Sequence, residues 1–523
     1  MSDPALLVYH WMTIAAPIFG FWYAFGIGAN DCANSFATSV AAKSVSLRLA
    51  VCIAAVCEFG GAMLLGSQVT KTIRNDVLKS NLYSNEPEVL MYGMLCSLVA
   101  AAIILQLSNY LYMPVSTTHT IVGAIVGFSL AAKGFSSINW NTCVMIFISW
   151  IASPVISGIA AFIAFFIIRR WVLLSPEPYK RAIITYPLII FVAVTVDLFF
   201  VLNKAGANRP NALKKYGVKL QLPIAIGAAL LCALVFQFAI SPCLQRRVEQ
   251  DVADRAAVLK AAEETNIEDT NADEENTTKF EKSERLQDEP QDLPVTPAPG
   301  NENKISDSLK KGYRAFADYT FDRDVHSEAM HKSKRSQEIW SSAPEFDEHA
   351  EDMFKYLQVF TACLLSFAHG ANDVANAIAP LSAVFLIYQT GEVESKSPVA
   401  AWMLALGGAG IVVGLATYGY KLIVALGFHL TKLSPSRGFC IELCTSLVVV
   451  VASFVGIPIS STQCQVGGTV GAGFVTGGQH VDFWFFLRCA LGWVITFVGV
   501  CLLTAGIFAF SYYAPSAPGF AGR

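Results

Sequence analysis

The sequence predicts an all-α membrane protein of about twelve transmembrane segments in two inverted-topology repeats, with broken or re-entrant helices at the centre. Three observations carry that prediction. Apolar residues make up 54% of the 523 positions and charged residues only 15%, against about 25% charged in ordinary soluble domains. The charge is segregated, since 27 of the 40 acidic residues lie between Glu249 and Asp352. Two polar motifs also occur twice, in the same order, within otherwise apolar surroundings.

A helix of about 17–25 apolar residues spans a bilayer. By that measure the first half supplies spans near 12–40, 49–70, 89–112, 119–133, 142–168, 183–203 and 222–243. The second half supplies 355–388, 399–427, 439–457, 464–478 and 483–511, with 119–133 and 464–478 short. The first apolar run lacks a basic leader and continues into a polar motif, so it is expected to be retained rather than cleaved. Residues 244–352 are acidic, polar and Pro-containing, too poor in apolar surface to fold alone. They are expected to form a largely disordered cytoplasmic loop, with an amphipathic helix around 305–340, between membrane halves 1–243 and 353–523. Arg169, Arg170, Lys180, Arg181, Arg246 and Arg247 place their ends inside and the N-terminus outside. Lys204, Arg209, Lys214, Lys215 and Lys219 conflict with that orientation. Asn276 begins a glycosylation sequon that matters only on an outward-facing loop.

Composition also excludes classes. No basic face suits nucleic acid. The 13 cysteines show no zinc or disulfide spacing, and Cys440 and Cys444, one helical turn apart, read as packing residues. No cofactor motif appears.

The repeated motifs are "GANDCANS" around Asp31 with "GANDVANA" around Asp373, and "PVSTT" at Pro114 with "PISST" at Pro458. Asp31 precedes Ser116 by 85 positions, and Asp373 precedes Ser460 by 87. An odd number of spans separates equivalent positions, so the halves should enter the membrane in opposite directions, a transporter architecture with sites near the midplane. A carboxylate at the membrane centre costs about 2.5–3.5 kcal/mol on insertion scales, so Asp31 and Asp373 should face protein or a cation. Gly28 and Gly370 with the adjoining Asn and Asp weaken a helix. A local break there would free carbonyls for a hard-oxygen cage, suited to sodium. Pro and Ser/Thr favour a helix start, and a helix N-terminus attracts anions. Ser116, Thr117, Thr118, Ser460, Ser461 and Thr462 would thus surround a small oxyanion without an arginine. Glu58 lies 27 positions after Asp31 and Glu442 lies 18 before Ser460. Their repeat counterparts are Ala400 and Leu98, so each half contributes one glutamate at a different place.

These motifs, with "CEFGGA" and "GFCIEL", resemble the inorganic phosphate transporter (PiT) family of sodium- or proton-coupled phosphate symporters, over roughly 12–243 and 355–511. The resemblance implies phosphate binding at Ser116, Thr117, Thr118, Ser460, Ser461 and Thr462. It implies cation binding, with sodium as the metal, at Asn30, Asp31, Asn34, Asn372, Asp373 and Asn376, and coupling through Glu58 and Glu442. One departure is Gln463, where the family often has His; His119 keeps that place in the first half.

Plainer roles compete. Ser and Thr can bond a neighbouring helix. Glu58 and Glu442 could pair with Arg437 or Lys71, and Asp197 with Lys204. His119 and His369 are expected to be satisfied hydrogen-bonding residues rather than ligands. The expected function is phosphate import coupled to sodium through alternating access, with no enzyme activity. Its partners are phosphate, sodium or protons, and the lipid bilayer. The expected location is the plasma membrane, and a homodimer is compatible with the architecture. Alternatives are a proton-coupled phosphate or sulfate carrier, a phosphate sensor, or an intramembrane aspartyl hydrolase. The last lacks its pattern, since Ala29 follows Gly28 and no Pro-Ala-Leu follows Asp373.

Overall fold

The computed structural model describes residues 4–204, 217–276, 333–393, 399–455 and 457–513. The first half contains α1 (His10–Ile27), a π-helical turn (Gly28–Cys32) and α2 (Ala33–Ala41). It continues with α3 (Leu47–Asp76), α4 (Pro87–Tyr110), α5 (Thr117–Lys133), α6 (Trp140–Ile168), α7 (Pro178–Lys204) and α8 (Val218–Val235). Helices α9 (Ser241–Asn276) and α10 (Lys334–Ser342) flank the central segment. The second half contains α11 (Glu348–Thr390), α12 (Ala401–Tyr418), α13 (Tyr420–Phe428), α14 (Pro435–Val455), α15 (Ser461–Phe474) and α16 (Phe483–Tyr513).

Among the described residues ten helices are long and apolar enough to cross a membrane, rather than twelve. The difference lies in the two short segments. With 17 and 14 residues, α5 and α15 are about 26 and 21 Å long at 1.5 Å per residue, less than the ~30 Å hydrocarbon core. Each starts at a Ser/Thr motif inside the protein, where Ser116 and Ser460 cap them by accepting from the His119 and Gln463 backbone N–H groups at 3.2 Å. The expected span 399–427 is divided at Gly419 into α12 and α13.

Packing between the halves is reciprocal. Helix α11 lies on α3 while α1 lies on α12, and α15 lies on α6 while α5 lies on α16. Two glycines show how close these approaches are. A Cβ on Gly28 would sit 1.8 Å from the Ile411 carbonyl oxygen of α12, and one on Gly370 would sit 2.1 Å from the Glu58 carbonyl oxygen of α3. This corrects the expectation of a helix break at these two motifs. The first Gly-Ala-Asn-Asp motif widens into one π turn, and the second lies within the unbroken 43-residue α11. Their glycines admit a neighbouring backbone, a small-residue role common between membrane helices.

The beginning of the central segment is also more ordered than expected, because α9 continues to Asn276. Residues 277–332, with most of the predicted amphipathic helix, lie outside the described residues. Helix α10 is fastened to the second half. Ser336 Oγ lies 2.8 Å from His429 Nδ1, and Trp340 Nε1 donates to the Phe428 carbonyl at 3.2 Å.

Candidate functional site

The π turn, α11 and the starts of α5 and α15 meet at one buried centre. Asp31 and Asp373 are 1% and 0% exposed, and all six Ser/Thr residues of the paired motifs are at most 3% exposed. Lipid exposure of the carboxylates, which insertion energetics disfavour, is thereby avoided.

Within each half the aspartate accepts from the second hydroxyl of its own motif. Thr117 Oγ1 donates to Asp31 Oδ2 at 2.5 Å, and Ser461 Oγ donates to Asp373 Oδ2 at 2.7 Å. Contacts between halves follow the same logic. Asn34 Nδ2 donates to Thr462 Oγ1 at 2.7 Å, and Asn376 Nδ2 lies 3.3 Å from Thr118 Oγ1. Other crossing contacts are not mirrored: Asn376 Nδ2 also donates to Thr117 Oγ1 at 3.1 Å, and Thr462 Oγ1 donates to Asp31 Oδ1 at 2.7 Å whereas Thr118 Oγ1 donates to the Ile459 carbonyl. Asp31 therefore takes one hydroxyl from each half. Asp373 Oδ1 instead accepts from Asn376 at 3.0 Å and from Asn372 at 3.2 Å.

Asn30 and Asn372 hold the entries to the short helices. Asn30 Nδ2 donates to the Met113 carbonyl at 3.1 Å, while its Oδ1 accepts from the Val115 N–H at 3.0 Å. Asn372 Nδ2 donates to the Ile459 carbonyl at 3.2 Å. Through these contacts they tie down the backbone that leads into Ser116 and Ser460.

Both glutamates are buried, and their partners differ from those expected. Glu58 accepts from Ser366 Oγ at 3.0 Å and lies 2.7 Å from His369 Nδ1. The other His369 nitrogen is 2.9 Å from Asp373 Oδ2, making a Glu58–His369–Asp373 chain. One ligand atom each from Asp31, His369 and Asp373 lies within 4.8 Å of the others, so His369 joins the two aspartates in a buried cluster with the spacing to hold a cation. Glu442 is surrounded by neutral donors: Thr38 and Ser39 at 2.6 Å, Thr361 at 2.8 Å and Gln358 at 3.1 Å. Arg437 does not pair with it. The guanidinium donates to the Lys432 carbonyl at 2.7 Å and lies 5.5 Å from the Phe165 ring centroid. The Lys71 side chain lies outside the described residues.

Two further residues stand apart from the paired motifs. The His119 ring stacks on Trp150 with centroids 3.5 Å apart and interacts with the Gln463 side chain and the Trp493 backbone. Among the described residues neither Asp197 carboxylate oxygen has a hydrogen-bond partner, and the residue lines a pocket with Leu65, Phe200 and Ser453; the Lys204 side chain, its expected partner, lies outside the described residues. Sequence reasoning also missed Asn109, which accepts from Asn30 at 2.7 Å, Tyr23, whose hydroxyl donates to the Thr117 carbonyl at 2.7 Å, and the four donors around Glu442. A usable signal existed in Gln358 and Thr361, two polar residues one turn apart in an apolar run.

Known proteins share this arrangement of sequence and fold. The profile described as the phosphate transporter family matches residues 27–504. The chain is 28% identical to the rat protein named sodium-dependent phosphate transporter 1, over 95% of each chain. It is 31% identical to the phosphate-repressible phosphate permease pho-4 of Neurospora crassa, covering 92% of this chain and 93% of that protein. It is 32% identical to the chloroplastic inorganic phosphate transporter 2-1 of Arabidopsis thaliana, covering 93% and 70%. A solved structure titled "The sodium-dependent phosphate transporter" superimposes with a TM-score of 0.72 at 28% identity, covering 96% of this chain and all of that one. With one family match running through both aspartate motifs and both hydroxyl-bearing helix starts, this chain belongs to the phosphate transporter family.

Proposed function

We propose that the chain imports inorganic phosphate by cotransport with sodium, through alternating access of two inverted repeats around the buried centre. The observation that carries this reading is that Thr117, Ser461 and Thr462 each donate their hydroxyl hydrogen to a carboxylate. A hydroxyl has one hydrogen and cannot give it to an aspartate and an anion together. Sodium at Asp31 and Asp373 would take the carboxylate oxygens and the hydroxyl lone pairs, turning the O–H groups toward phosphate. Without cations, an anion 4 Å from one of these carboxylates would be repelled by about 4 kcal/mol per unit charge at an effective dielectric of 20. Cation binding therefore precedes or accompanies anion binding, and the coupling is reciprocal.

On this reading Asn34 and Asn376 complete the cation cages, while Asn30 and Asn372 hold the hairpin entries. Ser116 and Ser460 keep their hydroxyl hydrogens for the anion, since their oxygens accept in the helix caps. Glu58 acts through His369, and Glu442 ties α2 to α11 and α14. The end bearing Arg169, Arg335 and Lys432 is assigned to the cytoplasm by the positive-inside rule. Arg169 and Arg335 there donate to the Val475 and Gln479 carbonyls. The plasma membrane is the assigned location. The deciding experiment is labelled phosphate flux in proteoliposomes with sodium and pH gradients imposed separately and sulfate as competitor. Uptake driven by sodium and resistant to sulfate is expected. Uptake driven only by protons, or equal competition by sulfate, would replace this reading with the proton-coupled or sulfate carrier.

A further inference from the structure

We propose that a cavity beside α13, the start of α16 and the tip of the α4–α5 hairpin binds the phosphate-bearing headgroup of an anionic phospholipid. The cavity measures about 530 Å³ and is lined by Tyr112, Lys421, His429, Asp482, Trp484 and Arg488, among others. That volume falls within the range of small-molecule sites, roughly 300–1,000 Å³.

Its charge is unbalanced. Among the described residues, neither Lys421 nor Arg488 forms an ion pair. One acid, Asp482, shares the cavity with these two cations, and its position is fixed because its Oδ1 accepts from the Phe485 N–H at 2.9 Å, capping α16. The Lys421 ammonium is held over the rings of Tyr418 at 4.5 Å and Tyr112 at 4.9 Å. These contacts fix its position without neutralising it.

The surroundings set its depth. Phe483, Trp484, Leu487 and Leu491 are exposed along the start of the membrane-spanning α16, and Tyr110, Tyr112 and Tyr418 are exposed beside Lys421. Trp and Tyr gather where lipid meets water, and a basic pocket between spans at that level suits a lipid phosphate. The site is separate from the buried centre yet touches its support. Tyr112 takes a left-handed backbone conformation, φ 57°, at the hairpin tip four residues before Ser116. A headgroup there would brace the turn from which the first anion-facing helix begins.

The test uses the purified full-length protein and native mass spectrometry with phosphatidylserine, phosphatidylcholine and inorganic phosphate. The wild type should retain one phosphatidylserine in preference to phosphatidylcholine. A Lys421→Gln/Arg488→Gln double variant should lose this preference by about 30-fold, roughly fivefold per cation, while Lys421→Arg keeps it. In phosphatidylcholine vesicles the double variant should transport like wild type, but lose any stimulation by added phosphatidylserine. If the double variant does not fold, each single Gln variant should show the fivefold loss. Equal retention of both lipids by the wild type, or unchanged retention by the Gln variants, overturns the proposal. Displacement of the lipid by millimolar inorganic phosphate also overturns it, assigning the cavity to the free anion.

Discussion

Thr462 and Thr118 hold equivalent places in the two motifs but have different partners, so replacing each with Val tests the asymmetry of the centre. Thr118 Oγ1 donates to the Ile459 carbonyl at 3.2 Å, and its contact with Asn376 is long. Asn376 also bonds Thr117 and Asp373. Removing the Thr118 hydroxyl therefore breaks neutral contacts and orphans no amide. Interhelical hydrogen bonds of that kind average about 0.6 kcal/mol in a membrane protein. Thr462 donates to a carboxylate and accepts from Asn34, whose other polar atom, Oδ1, already has no partner. A hydrogen bond to a charged group contributes about 1.5–3 kcal/mol, and the stranded Asn34 amide adds to the loss. The expected destabilisation is about 2–3 kcal/mol for Thr462→Val and about 0.6 kcal/mol for Thr118→Val. Equilibrium unfolding in mixed micelles with SDS, without sodium or phosphate, measures both. Equal losses within about 0.5 kcal/mol, the spread expected even for independent sites, or a larger loss at Thr118, would refute the reasoning.

Asp31→Asn and Asp373→Asn should each abolish sodium-driven phosphate uptake while the protein remains monodisperse; normal uptake by both would remove their cation role. Glu442→Gln keeps the shape but sets an NH₂ against the Thr361 hydroxyl at Oε2, or against Thr38, Ser39 and Gln358 at Oε1, so uptake should fall at least about tenfold, the equivalent of one 1.4 kcal/mol contact; an unchanged rate would leave Glu442 as packing only. Gly370→Ala should destabilise the protein by about 1–3 kcal/mol, as overpacking does, because its Cβ would meet the Glu58 carbonyl of α3. Gly60→Ala, whose Cβ would lie 3.9 Å from the Phe367 ring, is the matched control; equal unfolding midpoints for the two variants would contradict the close approach of α11 and α3.

What the sequence conveyed about this centre was its duplication. Both aspartate motifs and both hydroxyl motifs were legible because they recur in the same order at nearly the same separation, 85 and 87 positions, but the bonds from Thr117 and Ser461 to the aspartates were not read from it. Contacts between copies were not legible. Nothing local distinguishes Thr462 from Thr118, and only the packed halves decide which hydroxyl reaches an aspartate. The same limit hid the Glu442 cage, since Thr38 and Ser39 are about 400 positions away along the chain. It also misdirected the reading of Gly28 and Gly370, where helix propensity suggested a break and tertiary packing kept the helix, the usual outcome when the two compete. The asymmetry has its own source in the repeat. His369 lies four residues before Asp373, and the matching position before Asp31 is Ile27. Only the second half therefore has an imidazole joining its aspartate to a glutamate, while the first-half aspartate relies on a hydroxyl borrowed across the interface. Opening that interface would take the Thr462 donor from Asp31, and it would also part His369 from Glu58, which α3 of the first half carries. Each aspartate therefore depends on one contact from the opposite half, a hydroxyl for Asp31 and, through His369, a carboxylate for Asp373.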